Sequence, residues 1–365
     1  MRDQALPRSG ATAVQRSTVQ QSDAPAAFQS AVRAFGSAPV LILAHNDADG
    51  LSASAILARS LMRLGRAAEV RLVGRGENAW SDRMREELAE KPMGGLIVTD
   101  LGVRGGVIRE DVPTIIIDHH VPQGEPHGAT VITGFGLLPT PTSSLLAFRC
   151  MSTFVEVDDL LWLAALGIIG DMAEAAEFSE MERARAKYGI TALRKATSLI
   201  NQPRRSSSGD ASPALALLLK ACGPKEVFSG EHSETALLVA ARDEVRAELE
   251  RVRRIGPKVV GPVALIRFTS SCQVHPLIAQ AWVGRLKDRV VIAANTGFRP
   301  GWVHFAARSG ADIDLVAFLR RYAPPGADEN YGGGHPRASG GALRVSDWNR
   351  FTSSLGFGPE MQVPP

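Results

Sequence analysis

Residues 39–64 read PVLILAHNDADGLSASAILARSLMRL. An apolar run from Val40 to Ala44 stops abruptly in a polar cluster, His45-Asn46-Asp47-Ala48-Asp49-Gly50. Apolar residues then recur at helical spacing from Leu51 to Leu64. A short apolar run followed by a 3.6-residue period is a strand feeding a helix. Gly50 lets the chain turn sharply between the two. The free N–H groups of the helix start, Leu51-Ser52, point at the same turn, where a phosphate is welcome.

The same alternation continues outward from this stretch. Strands are expected over 69–73, 95–99, 114–117 and 130–133, with helices over 81–91, 143–154 and 158–169, the last capped by Asp158. Strands vanish between about 175 and 260. That stretch holds a polar break, QPRRSSSGDAS at 202–212, and a long amphipathic segment at 233–255 that Gly256-Pro257 ends. A second alternation follows, with strands at 263–268, 290–294, 302–307 and near Leu343, helices at 275–286 and 313–322, and a glycine-rich turn at 332–334. The expected fold class is α/β. A doubly wound, mainly parallel sheet leads through a helical connector to a smaller C-terminal α/β domain facing it over a cleft. The expected boundaries are a disordered extension at 1–25, the first domain at 26–180, the connector at 181–258, the second domain at 259–356 and a tail at 357–365.

At about 150 residues per domain, 365 residues agree with two domains. Hydrophobic residues at 45% and charged ones at 22% exclude collagen-like and wholly disordered chains. No apolar run reaches the roughly 20 residues that span a bilayer, so no membrane partner is expected. The net charge of +3 permits an anionic partner without demanding one. Cys150, Cys222 and Cys272 form no CxxC pair and are expected to be reduced thiols of a cytoplasmic protein. Cys272 and His275 make a C-x-x-H pair with no second pair to close a zinc site.

Three of the expected strands end in potential metal ligands: His45, Asp47 and Asp49 after the first, Asp100 after the next, and Asp118-His119-His120 after the third. The apolar helix at 158–169 delivers Gly170-Asp171. Ligands of open α/β sheets bind beyond the carboxyl ends of the strands. One Asp after a strand is ordinarily a turn or N-cap residue, and His119-His120 alone reads as a surface turn. Four clusters at one sheet edge are another matter, because facing carboxylates repel unless a cation joins them. Carboxylates with imidazole suit two divalent ions, with Mn²⁺ preferred and Mg²⁺ possible.

HNDADG (45–50), VTDLG (98–102), IIDHH (116–120) and GIIGDM (167–172) resemble, in this order and spacing, the four motifs of the DHH phosphoesterase superfamily. YGGGHPRASGG (331–341) resembles the GGGH signature of the DHH-associated C-terminal domain. The first motif is similar to the RecJ type, with His two residues before the first Asp. The pyrophosphatase form has its His four residues before, where this chain has Leu43. The resemblance implies that Asp47, Asp49, Asp100, His119 and Asp171 are metal ligands, with Asp100 bridging. It implies His120 beside the scissile phosphate, Asp118 orienting an imidazole or the turn, and His45 as a ligand or phosphate contact. In the C-terminal domain it implies substrate binding by Gly332, Gly333, Gly334 and His335. Arg308 is the next candidate, and Arg337 and Arg299 are weaker ones. Trp302 and Phe305 alternate onto opposite faces of one strand. Both are expected in the core, with Trp302 the better candidate to stack on a base.

The implied function is two-metal hydrolysis of phosphodiester bonds in single-stranded nucleic acid or short oligonucleotides. A nano-RNase, a nucleotide phosphatase or a cyclic-dinucleotide phosphodiesterase is the alternative. A catalytically inactive nucleic-acid-binding protein is the rival from another class, against which the complete ligand set speaks. The oligomeric state, monomer or homodimer, is left open.

Overall fold

The computed structural model describes residues 18–19, 23–327 and 331–364, with the side chains of Thr18, Val19 and His335 outside that description. The chain divides into two compact units between Leu193 and Arg194.

The first unit contains β1 (Thr18–Val19), α1 (Ala24–Arg33), β2 (Val40–His45), α2 (Ala48–Arg63), β3 (Ala68–Val73), α3 (Asp82–Ala89) and β4 (Gly95–Thr99). It continues through β5 (Arg104–Gly106), β6 (Thr114–Asp118), β7 (Gln123–Pro126), β8 (Ala129–Thr133), α4 (Ser143–Met151), α5 (Leu161–Gly170) and α6 (Ser179–Tyr188). Its main sheet has the order β1-β8-β6-β4-β2-β3 and is parallel throughout. Strand side chains alternate between faces. Leu41, Leu43, Leu96, Val98, Ile116 and Val131 pack with Met84 and Leu88 of α3 on one face. The intervening Ile42, Ala44, Ile97, Ile115 and Ile117 are equally buried, and α2 and α4 pack against the sheet as well. Burial on both faces explains why these strands read as unbroken apolar runs. Of the extension set aside at 1–25, residues 1–17 and 20–22 lie outside the description. Thr18–Val19 instead forms a strand beside Val131 and Ile132, and α1 begins at Ala24. Asp158 is not the expected cap. It sits in a 3₁₀ turn, Asp158–Leu160, with its carboxylate bonded to Arg183, and α5 starts after Leu160 without a side-chain cap.

The helix α7 (Ile190–Ile200) crosses the division. The second unit then holds α8 (Ser212–Lys220), α9 (Glu226–Ser229), α10 (Glu234–Val252), β9 (Lys258–Val260), β10 (Val263–Phe268), α11 (His275–Val283), β11 (Val290–Arg299) and β12 (Trp302–Ser309). It ends with α12 (Leu315–Arg321), β13 (Gly334–His335), β14 (Ala338–Arg344) and α13 (Val345–Ser354). Its sheet runs β13-β14-β12-β11-β10-β9, with only β10 and β11 parallel. One face packs Leu265, Ile292, Val303 and Phe305 against Leu315 and Leu319 of α12 and Trp348 and Phe351 of α13. The other packs Ile266, Ala293 and Ala306 against Ile278 of α11 and Val245 and Val252 of α10. The segment expected to be a connector therefore supplies part of this core. The stretch expected to be a tail does the same through Phe357 and Met361. Cys150 and Cys272 are buried free thiols and Cys222 an exposed one. No helix among the described residues is long and apolar enough to cross a membrane.

Candidate metal centre

Parallel strands place all their carboxyl ends at one edge, and β2, β4 and β6 are neighbours. His45 is the last residue of β2, Asp100 follows β4, and Asp118 ends β6 with His119 and His120 just beyond. Asp47 caps α2, its Oδ1 accepting from the N–H groups of Asp49 and Gly50 at 3.1 and 3.2 Å. The bland role of an Asp after a strand is thus real here, and Oδ2 remains turned to His45 Nδ1 at 3.1 Å. Gly50 is required by space rather than by φ: a Cβ there would lie 2.4 Å from the carbonyl oxygen of His45. Asp171 arrives at the C-terminus of α5, where Gly170 lets the helix end sit against Ala48.

Three groups of potential ligands result, each with its donor atoms within 4.8 Å of one another: His45, Asp47 and Asp100; Asp100, His119 and His120; Asp49, His119 and Asp171. Asp100 is common to the first two. Its Oδ2 lies 3.3 Å from His45 Nδ1, and its Oδ1 lies 3.5 Å from His119 Nε2 and 3.1 Å from Ser143 Oγ, which donates to it. The backbone at Asp100 has φ of +62°, a left-handed conformation that Asp tolerates better than most residues.

The electrostatics are those of too many acids in too little water. Burial, then the charges of Asp171 and Asp100, hold the Asp49 carboxyl well above its ordinary pKa. Burial and the charges of Asp100 and Asp47 also raise that of Asp171, against the attraction of the nearby His119. Burial alone would lower the imidazoles, but Asp47 and Asp100 push His45 up to about 10, and Asp100 and Asp171 push His119 up to about 11. His119 Nε2 and Asp171 Oδ2 are 3.1 Å apart and buried, yet neither makes a hydrogen bond of acceptable geometry. Crowded carboxylates beside imidazoles, with buried donor atoms left over, are a set that divalent cations satisfy.

Around this set stand residues whose work is positional. Asp118 is fully buried. Its Oδ1 accepts from the N–H of His120 at 2.8 Å and meets His120 Nδ1 at 3.1 Å, while Oδ2 accepts from the N–H of Gly102 at 2.8 Å. Burial works to raise its pKa, and these bonds hold it below the usual value. His120, half exposed, is 3.9 Å from Asp100 Oδ1. Asp49 accepts from the N–H groups of Ser143 and Ser144 at 2.7 and 3.0 Å, so the start of α4 fixes both its oxygens. Sequence reasoning missed Ser143, Ser144 and Gly167. A Cβ on Gly167 would lie 2.0 Å from Ser144 Oγ and 2.2 Å from Asp49 Oδ1. The run Thr142-Ser143-Ser144 was the available signal, as a helix start.

The remaining candidates lie in the second unit. Arg308 is half-buried on β12, where Nε donates to Gln280 Oε1 at 3.2 Å and Nη1 to the carbonyl of Ala307 at 2.9 Å. Strand register puts Arg308, Ala338 and His335 in one row. Gly332 and Gly334 have φ of +75° and +121°. The N–H of Gly332 is already donated to Gly340 and the carbonyl of Gly333 accepts from Ser339 Oγ, so part of the glycine requirement is the hairpin itself. Arg337 is exposed in the turn between β13 and β14. Trp302 is not in the core as expected: it is half-buried with Arg299 and Arg344 over its ring. Phe305 is in the core.

A parallel sheet with helices, followed by a mixed sheet, is the α/β fold that RecJ and a DHH domain also have. The chain is similar to the exonuclease RecJ bound to manganese, with a TM-score of 0.64 and 19% identity over 93% of this chain and 95% of that one. It is similar to RecJ of Thermus thermophilus in complex with Mn²⁺, with a TM-score of 0.62 and 19% identity over 92% of this chain, which spans 55% of that longer one. It is also similar to the DHH domain of a member of the s1p family of ribosomal proteins, with a TM-score of 0.62 and 16% identity over 90% and 89% of the two chains. At these identities the likeness establishes the fold. No family model and no curated protein matches the sequence.

Proposed function

We propose that the protein is a metal-dependent phosphoesterase that hydrolyses phosphodiester bonds in single-stranded nucleic acid or short oligonucleotides. The observation that carries this reading is the sharing of Asp100 between two ligand groups at one sheet edge, the arrangement a pair of cations needs. Asp47, Asp49, Asp100, His119 and Asp171 are the residues to hold two divalent ions, which when bound supply charge neutralisation and a more acidic water. The preference is for Mn²⁺, because imidazole joins the carboxylates. His45 adds a third donor beside Asp47. Asp118 holds His120 by Nδ1 and raises its pKa against burial. That leaves a protonated Nε2 for the leaving oxygen. The Gly332–Gly334 turn with His335, Arg308 and Arg337 takes a phosphate or strand end, arginine offering its fork to phosphate oxygens.

The test is hydrolysis of end-labelled DNA and RNA, from dinucleotides to long oligomers, beside cyclic dinucleotides. Activity is expected to vanish with chelator and to return best with Mn²⁺. Undiminished hydrolysis in EDTA, with bound metal verified as nil, would overturn the two-metal reading. Cleavage confined to cyclic dinucleotides or mononucleotides would replace the substrate.

A further inference from the structure

At the end of the second sheet, Trp302 of β12 pairs in register with Arg299 of β11 and Arg344 of β14. Both guanidiniums lie over the indole, at 4.8 Å for Arg299 and 4.4 Å for Arg344, within cation–π range. Arg344 is exposed, Arg299 and Trp302 are half-buried, and among the described residues neither arginine pairs with a carboxylate. Alternation puts Trp302, His304, Ala306 and Arg308 on the same face of β12. Six residues at ~3.3 Å each set Trp302 about 20 Å from Arg308 along the strand. The helix α11 packs over the face between the two ends, at Ala306 and through Gln280 at Arg308, so a strand that touches both ends passes around that helix, a path longer than a dinucleotide spans.

We infer that Arg299, Trp302 and Arg344 form a second station for single-stranded nucleic acid, stacking a base and binding backbone phosphates about 20 Å along β12 from Arg308. The chemistry is complementary: aromatic and guanidinium planes stack on any base, and two unpaired positive charges face a polyanion. The inference deepens the phosphodiester reading, on which it rests, by naming a strand of several nucleotides as the substrate. A pyrophosphate or a cyclic dinucleotide cannot occupy both stations.

The experiment measures binding of labelled di-, penta- and decanucleotides to the full chain in EDTA, where hydrolysis is not expected, by fluorescence anisotropy. Wild-type affinity should rise with length. In Trp302→Ala that rise should flatten, with decanucleotide affinity falling about 5- to 150-fold, the range for one lost base stack. The Arg299→Ala/Arg344→Ala double variant should give a salt dependence shallower by roughly 1.4 in log–log slope, for two released single-strand phosphates. It also carries the test if Trp302→Ala fails to fold, which thermal melting checks. Unaltered length dependence and salt slope in folded variants would overturn the station. Length-dependent binding that needs Trp302, in a protein that cleaves nothing, would leave the station standing and remove the hydrolytic reading. Cleavage with unaltered variants does the reverse.

Discussion

Asp100 combines two demands in one residue. Its carboxylate stands within reach of His45, His119 and Ser143, and its backbone is left-handed. Asp100→Asn, which tolerates that φ, is expected to keep its melting temperature while losing at least ~10³ in rate through the shared ligand. Asp100→Ala should add a stability loss of ~1–2 kcal/mol for alanine in the left-handed region. An Asn variant retaining a tenth of the activity would refute the role. Gly167→Ala tests the support beneath Asp49. The added Cβ collides with Ser144 and Asp49, so overpacking of ~1–3 kcal/mol and weaker Mn²⁺ binding by calorimetry are expected. The cluster of carboxylates and imidazoles was legible because three of the apolar strands stop in an acid or imidazole. Gly167 was not, since what it must avoid comes from residues 49 and 144, and its own neighbours are merely apolar.

At the scale of elements, α4 is held twice, through its N-terminus on Asp49 and through Arg149, which bonds Glu180 of α6 at 2.7 and 3.0 Å. Burial works to raise the pKa of Glu180, but this bidentate pair holds it below the usual range. A depressed carboxylate stabilises the fold above its unfolded value, ~4.3, and that contribution is lost as pH falls through the folded value. Melting temperature should therefore fall less steeply below about pH 5 in Glu180→Gln than in the wild type. Parallel slopes would show that the pair contributes nothing. The α4–α6 pairing was invisible in the sequence, as ion-pair partners 31 residues apart leave no periodic mark. α13 escaped for another reason. Its polar segment VSDWNRFTSS carries only two large buried residues, Trp348 and Phe351, and these meet strands rather than a neighbouring helix.

On the scale of the whole molecule, each unit has its own sheet and core, and the proposed labours divide accordingly. Alanine at Asp47, Asp49, Asp100, His119 or Asp171 should reduce bound Mn²⁺ along with kcat. Arg308→Ala or His335→Ala should leave the metal in place and raise KM roughly 10- to 150-fold, the worth of a charge-assisted bond of ~1.5–3 kcal/mol. Metal loss from Arg308→Ala, measured by elemental analysis, would refute this division. The order of the two alternating patterns was legible from residue 40 onward. Their boundary was not, because α10 reads as a free-standing amphipathic helix until β10 and α11 are seen beneath it.

The two-residue strand β1 has a consequence out of proportion to its length. It occupies the outer edge of β8, on the flank of the main sheet opposite β3. A parallel sheet ending at β8 would present a row of unsatisfied backbone groups beside the apolar residues Val131 and Ile132, an invitation to self-association. A chain beginning at Asp23 should accordingly form concentration-dependent assemblies in light scattering, while the proposed metal site at the ends of β6, β4 and β2, separated from β1 by β8, still binds Mn²⁺. On that expectation the short segment at Thr18–Val19 is a guard strip, there to keep one copy of the sheet from finishing itself with another.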